Sequence, residues 1–335
     1  MMSRSRHSFL HRVLDALPAK PAFGTGLLLA LLGPCAVTLT AAQPANTQPP
    51  AAQEPITPIP PAPVVDPRRL ALGEKLFHDP RLSHDGRRGC VFCHDVATNG
   101  ASGRRTDLTP EGQGIALNTP TVFNAALSFR LNWEGNFRTL ESQAEQSLLN
   151  PDIMATTPDE VVGKLRADPD AVRDFRGAYG RAPDRAALLD ALATYERSLL
   201  TPGSRFDLWL GGQADAITAQ ELAGYQLFKT LGCVACHQGV NVGGNLYQRH
   251  GIFSPLASPN PEWLRVPSLR NIATTPPYFH DGSAATLPKT IRAMAVAQLD
   301  HPLTDGQTEL IAAFLNTLTG IYRDHAVAPV GEPPP

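Results

Sequence analysis

The chain has 335 residues, with 29 Lys and Arg against 31 Asp and Glu and a formal net charge of -2, so no basic surplus marks a nucleic-acid binder. Hydrophobic residues at 42% suffice for a substantial core, and the length predicts two domains at about 150 residues each. Charged residues at 18% fall below the usual share of about 25%, the 32 prolines are about twice the expected share, and five cysteines are too few for a disulfide-dense scaffold.

The N-terminal 21 residues carry Arg4, Arg6, Arg12 and Lys20, and an apolar run from Ala22 to Ala42 follows, ending in small residues. Residues 1–42 therefore read as a signal peptide, with an uncleaved membrane anchor as the alternative because the run is just long enough to span a bilayer. Gly33 and Pro34 favour cleavage, and Cys35 is expected to leave with the leader. Residues 43–66 are proline-rich and nearly uncharged, the pattern of a semi-rigid extended linker.

Pro67 opens a helical pattern with Leu70, Leu72, Leu76 and Phe77 apolar, which stops at Asp79-Pro80. Cys90-Val91-Phe92-Cys93-His94 follows. Helices are expected at 139–149, at 158–167 capped by Thr157, and at 185–199, with a domain break near Thr201-Pro202-Gly203. The order then repeats. Thr218 to Glu221 reads as a capping box, Leu222, Tyr225, Leu227 and Phe228 form an apolar face, Gly232 ends the helix, and Cys233-Val234-Ala235-Cys236-His237 follows. Leu-Gly-Glu-Lys-Leu-Phe before the first motif and Ala-Gly-Tyr-Gln-Leu-Phe before the second point to a duplicated unit. Further helices are expected at 286–297 and 305–318. Few stretches alternate with period two. The predicted fold class is mainly α, with cytochrome c-like helical domains at 67–200 and 201–322 and a tail at 323–335.

Cys-x-x-Cys-His is the attachment pattern of c-type haem: two thiols on one helical turn reach the two vinyl groups, and the adjacent His presents a ring nitrogen to the iron. A zinc site would want the Cys pairs closer together and would not require His after each. Two copies with His in the same place predict two covalently bound c-type haems. Covalent haem attachment in bacteria takes place outside the cytoplasm, so the expected location is the periplasm. Of the thioethers beyond the leader, Met294 sits in a helix after the second motif and is the expected sixth ligand of the second haem. Met154 reads as a gap-filling core residue. Between His94 and Asn118 there is neither His nor Met, so an open first iron is expected.

The segments LGEKLFHDPRLSHDG, NTPTVFNAAL, WEG with LESQA, YERSLLTPGSRFDLWL, GGNLY after the second motif, VPSLRNIATTPPYFHDGS and MAVAQL occur in that order. Together, over about residues 66–322, they resemble the bacterial dihaem cytochrome c peroxidase family, which includes the dihaem enzymes that mature methylamine dehydrogenase. The resemblance implies a peroxidatic haem on Cys90, Cys93 and His94 and an electron-accepting haem on Cys233, Cys236, His237 and Met294. It implies Trp133 as an electron relay and Gln143 as a distal residue. It also implies one interdomain calcium ion held by Asn118 and the backbone carbonyls of Thr275 and Pro277, a cation that suits oxygen donors. His280 matches a family position near the second haem. Two departures stand out. The distal His of many members falls near Pro110, and the distal Glu falls on Ile153, which cannot move a proton. Glu111, Glu134 and Glu141 are nearby acids without an assigned role.

The function implied is reduction of hydrogen peroxide to water with electrons from a small cytochrome c or cupredoxin. Alternatives are a dihaem oxidase of another protein or small molecule, which Met294 argues against because the methylamine-dehydrogenase-maturing branch has Tyr at that ligand position, and a dihaem electron carrier. By the same analogy the chain is expected to form a homodimer, and it is membrane-tethered if the leader persists.

Overall fold

The computed structural model describes residues 54–331, so the leader expected at 1–42, the first part of the linker and the last four residues lie outside the described residues. Among the described residues no helix is long and apolar enough to cross a membrane. Among the described residues nine α-helices carry the fold: α1 Pro67–Phe77, α2 Leu140–Leu149, α3 Pro158–Arg166, α4 Pro169–Tyr179, α5 Arg185–Ser198, α6 Arg205–Leu210, α7 Ala219–Thr230, α8 Leu287–Leu299 and α9 Asp305–Asn316. The strands are short. β1 (Tyr247–Arg249) pairs antiparallel with β2 (Trp263–Arg265), and β3 (Ile321–Tyr322) with β4 (His325–Ala326).

Caps set most helix starts. The Asp66 carboxylate accepts from the Arg68 N–H with Pro67 in the first turn, Thr157 caps α3, and Thr218 with Glu221 closes a reciprocal capping box on α7. A second such box, Thr304 with Gln307, starts α9. Two helices are additional to those expected. Helix α4 is capped by Asp168, begins with Pro169 and ends at Gly180 with φ 70°; only Ala171, Phe175 and Ala178 are buried, so its apolar signal is sparse. Helix α6 has six residues, too few for periodicity to register.

Two apolar cores form. The first gathers Leu72, Leu76, Phe77, Phe175, Leu188, Leu192 and Tyr195; the second gathers Phe206, Trp209, Tyr225, Phe228, Ile311 and Phe314. Each core is built on one close helix crossing, α1 with α5 in the first and α7 with α9 in the second. A Cβ at Gly73 of α1 would fall on the Ala191 carbonyl and the Tyr195 Cβ of α5; at Gly224 of α7 it would fall on the Leu310 carbonyl and the Phe314 Cβ of α9. Glycine permits that approach in both lobes, and it occupies the matching place in the two similar hexapeptides. The aromatic contacts repeat as well, Phe77 against Tyr195 at 5.2 Å and Phe228 against Phe314 at 5.2 Å.

The segments at both ends of the described residues pack into the two cores. Ile56 is fully buried in the second core, and the buried Glu54 carboxylate accepts from the Tyr225 hydroxyl at 2.5 Å and from Lys229 Nζ at 3.1 Å. A proline-rich composition describes an extended backbone but does not prevent one apolar and one charged side chain from docking. Val327 of the expected tail is buried in the first core, and Tyr322 stacks near Phe123 at 4.9 Å. The buried Arg270 guanidinium donates to Asp207 at 2.7 Å and to the Thr57 carbonyl at 2.8 Å, tying the N-terminal segment to α6.

Candidate haem cavity

Each Cys-x-x-Cys-His motif folds as a 3-10 turn, Cys90–Phe92 and Cys233–Ala235. In both, the His backbone N–H donates to the carbonyl of the first Cys, at 3.0 Å for His94 and 2.9 Å for His237. Two thiols and an imidazole are thereby presented from one turn. The imidazoles are oriented alike: His94 Nδ1 bonds the Gly100 carbonyl and His237 Nδ1 the Val242 carbonyl, each at 3.2 Å. A carbonyl can only accept, so Nδ1 carries the proton and Nε2 keeps its lone pair for a metal. Burial pushes both imidazoles toward the neutral form, His237 down to about 4. Burial pushes the four unpaired thiols up, Cys93 to about 12 and Cys233 to about 11.

One mostly apolar cavity of about 930 Å³ runs past both motifs. Its wall brings together Cys90, Cys93, His94, Cys233, Cys236, His237, Met294, Gln143, Trp133, Asn118, Thr275, Pro277 and His280, residues far apart in sequence. Four free thiols, two neutral imidazoles with anchored Nδ1 and an apolar slot are the donor set and shape that two c-type haems require. Trp133 Nε1 donates to the Asn118 carbonyl at 2.8 Å, and the Asn118 N–H donates to the His280 carbonyl at 2.7 Å. Gln143 Nε2 bonds the Ser147 hydroxyl at 2.9 Å, one turn further along α2. Met154 is buried in the first core as well as touching the cavity.

Of the acids singled out from sequence, Glu134 lines the cavity, whereas Glu111 does not and Glu141 is committed to an ion pair with Arg197. Ile153 lines the cavity and packs against the first core, so an apolar side chain occupies the place where a distal acid was expected. The loop holding Pro110 is pinned by Arg88, which donates to the carbonyls of Leu108 and Thr109, each at 2.6 Å; Arg88 and Leu108 line the cavity and Pro110 does not. Sequence reasoning missed three further cavity acids. Asp152 is exposed beside Ile153; Asp107 is buried and accepts from the Thr119 hydroxyl at 2.5 Å; Glu196 is buried near the end of α5. The signal for Glu196 lay in the duplicated helix crossing, one residue past its aromatic.

Residues 67–215 match the di-haem cytochrome c peroxidase family, and residues 222–319 match cytochrome c. The chain is 38% identical to cytochrome c551 peroxidase of Nitrosomonas europaea, across 82% of this chain and 86% of that one. The chain belongs to the dihaem cytochrome c peroxidase family. It is a haem-dependent oxidoreductase with c-type haems as cofactors. It is also 36% identical to cytochrome c peroxidase Ccp of Escherichia coli, across 83% of this chain, and spans 63% of the length of that longer relative. A solved MauG-like protein associated with microbial copper homeostasis superposes with a TM-score of 0.68 at 27% identity, covering 78% of this chain and 93% of that one.

Proposed function

We propose that this family member reduces hydrogen peroxide to two molecules of water, using two protons and two electrons supplied singly by a small periplasmic cytochrome c or cupredoxin. Bound haem iron supplies the peroxide-binding and electron-storing chemistry. The chain divides its two sites. On the first, Cys90 and Cys93 would anchor the porphyrin, His94 would offer its free Nε2 to the iron, and Gln143 offers an amide within the cavity. On the second, Cys233, Cys236 and His237 play the same parts, and Met294 from α8 offers a thioether, a ligand that raises the potential of an electron-accepting haem. Trp133 is the aromatic relay, held in one orientation by its bond to Asn118.

The observation that carries this reading is a single, mostly apolar cavity onto which both attachment motifs open, with the Met294 thioether of α8 in its wall. A bound calcium ion fits the same seam. Among the described residues neither Asn118 Oδ1 nor the carbonyls of Thr275 and Pro277 accept a hydrogen bond, although all three residues line the cavity. The leader is read as an export signal, which places the enzyme in the periplasm. Steady-state oxidation of a reduced small cytochrome c on addition of peroxide tests the proposal. Donor oxidation that depends on both substrates supports it; a dihaem protein that leaves the donor reduced would instead favour an oxidase of another substrate.

A further inference from the structure

Glu196 breaks the symmetry of the duplicated lobes in a way the mechanism above does not use. Gly73 meets Ala191 and Tyr195 in the first lobe as Gly224 meets Leu310 and Phe314 in the second. One residue past each aromatic the helix turns to the cavity: Leu315 in the second lobe, 4% exposed, and Glu196 in the first, 7% exposed. Among the described residues the Glu196 carboxyl has no hydrogen-bond or ion-pair partner, although burying an unpartnered carboxyl costs stability that leucine at the same place would not. It lines the same cavity as Cys90 and lies close enough to act on that thiol, so a porphyrin anchored at Cys90 would further shield it from water.

We propose that the Glu196 carboxyl is the proton-exchanging group of the first haem site, taking up one proton from water when an electron reaches the haem there and releasing it when that electron leaves. The balance is one for one: the carboxylate gains an O–H bond, the iron gains the electron of the reduced donor, and no net charge is added to the buried site. The proposal rests on haem attachment at Cys90 and Cys93, and it supplies the cavity with a proton-holding acid that Ile153 does not. The groups facing Glu196 are few. Glu141 approaches from α2 and Arg197 follows on α5, the two paired with each other, and Cys90 lies on the attachment turn. From α1 and α3 the buried residues packed toward α5 are apolar: Leu72, Leu76, Phe77, Val161 and Leu165. Burial, and then the charge of Glu141, hold the Glu196 carboxyl up at about 8 against the opposing pull of Arg197.

Spectroelectrochemistry of the dihaem enzyme from pH 5 to pH 10 tests it. The oxidised haem favours the carboxylate, so the oxidised state loses the proton at lower pH. The first haem's potential is expected to fall as pH rises through this window, by at most about 59 mV per tenfold change in proton concentration for one electron. Glu196→Gln and Glu196→Leu, the latter placing the second lobe's residue, are expected to flatten that fall while leaving the second haem's potential unchanged. Glu141→Gln removes a like charge and frees Arg197, and is expected to move the fall to lower pH. Wild-type pH dependence of the first haem in both Glu196 variants would overturn the proposal. Haem content separates the two readings: fewer than two haems in the wild-type enzyme would overturn the dihaem assignment itself, whereas two haems with an unaltered pH profile in the variants would overturn only the role of Glu196.

Discussion

Trp133 and His280 occupy the same place in two matching turns, and their rings meet edge to face with centroids 6.3 Å apart in the cavity wall. Each turn is closed by an isolated bridge, Leu131 to Phe137 and Tyr278 to Ala284. Each has a left-handed residue just before the ring, Asn132 at φ 68° and Phe279 at φ 69°, and a left-handed glycine two residues after it, Gly135 and Gly282. Asn118 bonds to both, through its carbonyl to the indole and through its N–H to the His280 backbone. The relay assigned to Trp133 is therefore fixed by a contact that spans the two turns.

Replacing Trp133 with Phe removes the indole N–H and part of the ring without adding charge. Haem content is expected to stay at two, while electron transfer from the second haem to the first slows by about tenfold or more, equivalent to about 1.4 kcal/mol in barrier. Rapid mixing of the half-reduced variant with peroxide measures this rate. An unchanged rate would return Trp133 to a purely packing role.

Met294→Ala removes the thioether from the second site. The second haem's potential is expected to fall and its absorption spectrum to change, with the first haem's peroxide reaction preserved. A second-haem spectrum identical to wild type would show that another group fills the sixth position.

Gly73→Ala and Gly224→Ala each put a methyl group onto a backbone carbonyl that has no room to move. Each is expected to destabilise the fold by about 1–3 kcal/mol, with the helices forced apart. Denaturant unfolding of the haem-loaded protein gives the value; a change within about 0.5 kcal/mol would mean that the helices do not cross so closely.

Burial of Glu196 also predicts a pH dependence of stability. Its carboxyl is raised to about 8 in the folded chain from 4.5 as the ordinary value, so the folded state binds more protons than the unfolded state between those limits. Stability is then expected to fall as pH rises from about 4.5 to about 8, the opposite sign to a salt-bridged carboxylate. Thermal midpoints of wild type and Glu196→Gln over that range measure it, and the wild-type decline is expected to be flatter in the variant. Parallel curves would remove Glu196 from the account of stability.

Much of this was legible in residue spacing. The haem motifs declared themselves through chemistry, and α1, α3 and α7 through apolar periodicity joined to Pro67 at the start of α1 and caps at Thr157 and Thr218. The docked ends were not legible, because Glu54 and Ile56 sit among prolines and only the surfaces they meet give them meaning. Glu196 was hidden for the same reason: within Tyr-Glu-Arg-Ser it reads as a solvent-facing charge, and only the glycine crossing sets its register toward the cavity. The absence of an acid at position 153 was visible in the sequence, whereas the cavity acids Asp107, Asp152 and Glu196 became visible only when the lobes were assembled.

The central claim is that peroxide reacts at the first haem while electrons enter at the second. Its most direct test is stopped-flow mixing of hydrogen peroxide with enzyme in which only the second haem is reduced. The absorption of the reduced second haem is expected to disappear in step with peroxide consumption, and to return when reduced donor is added. Consumption of peroxide with the second haem left reduced, or no reaction at either haem, would contradict the division of labour.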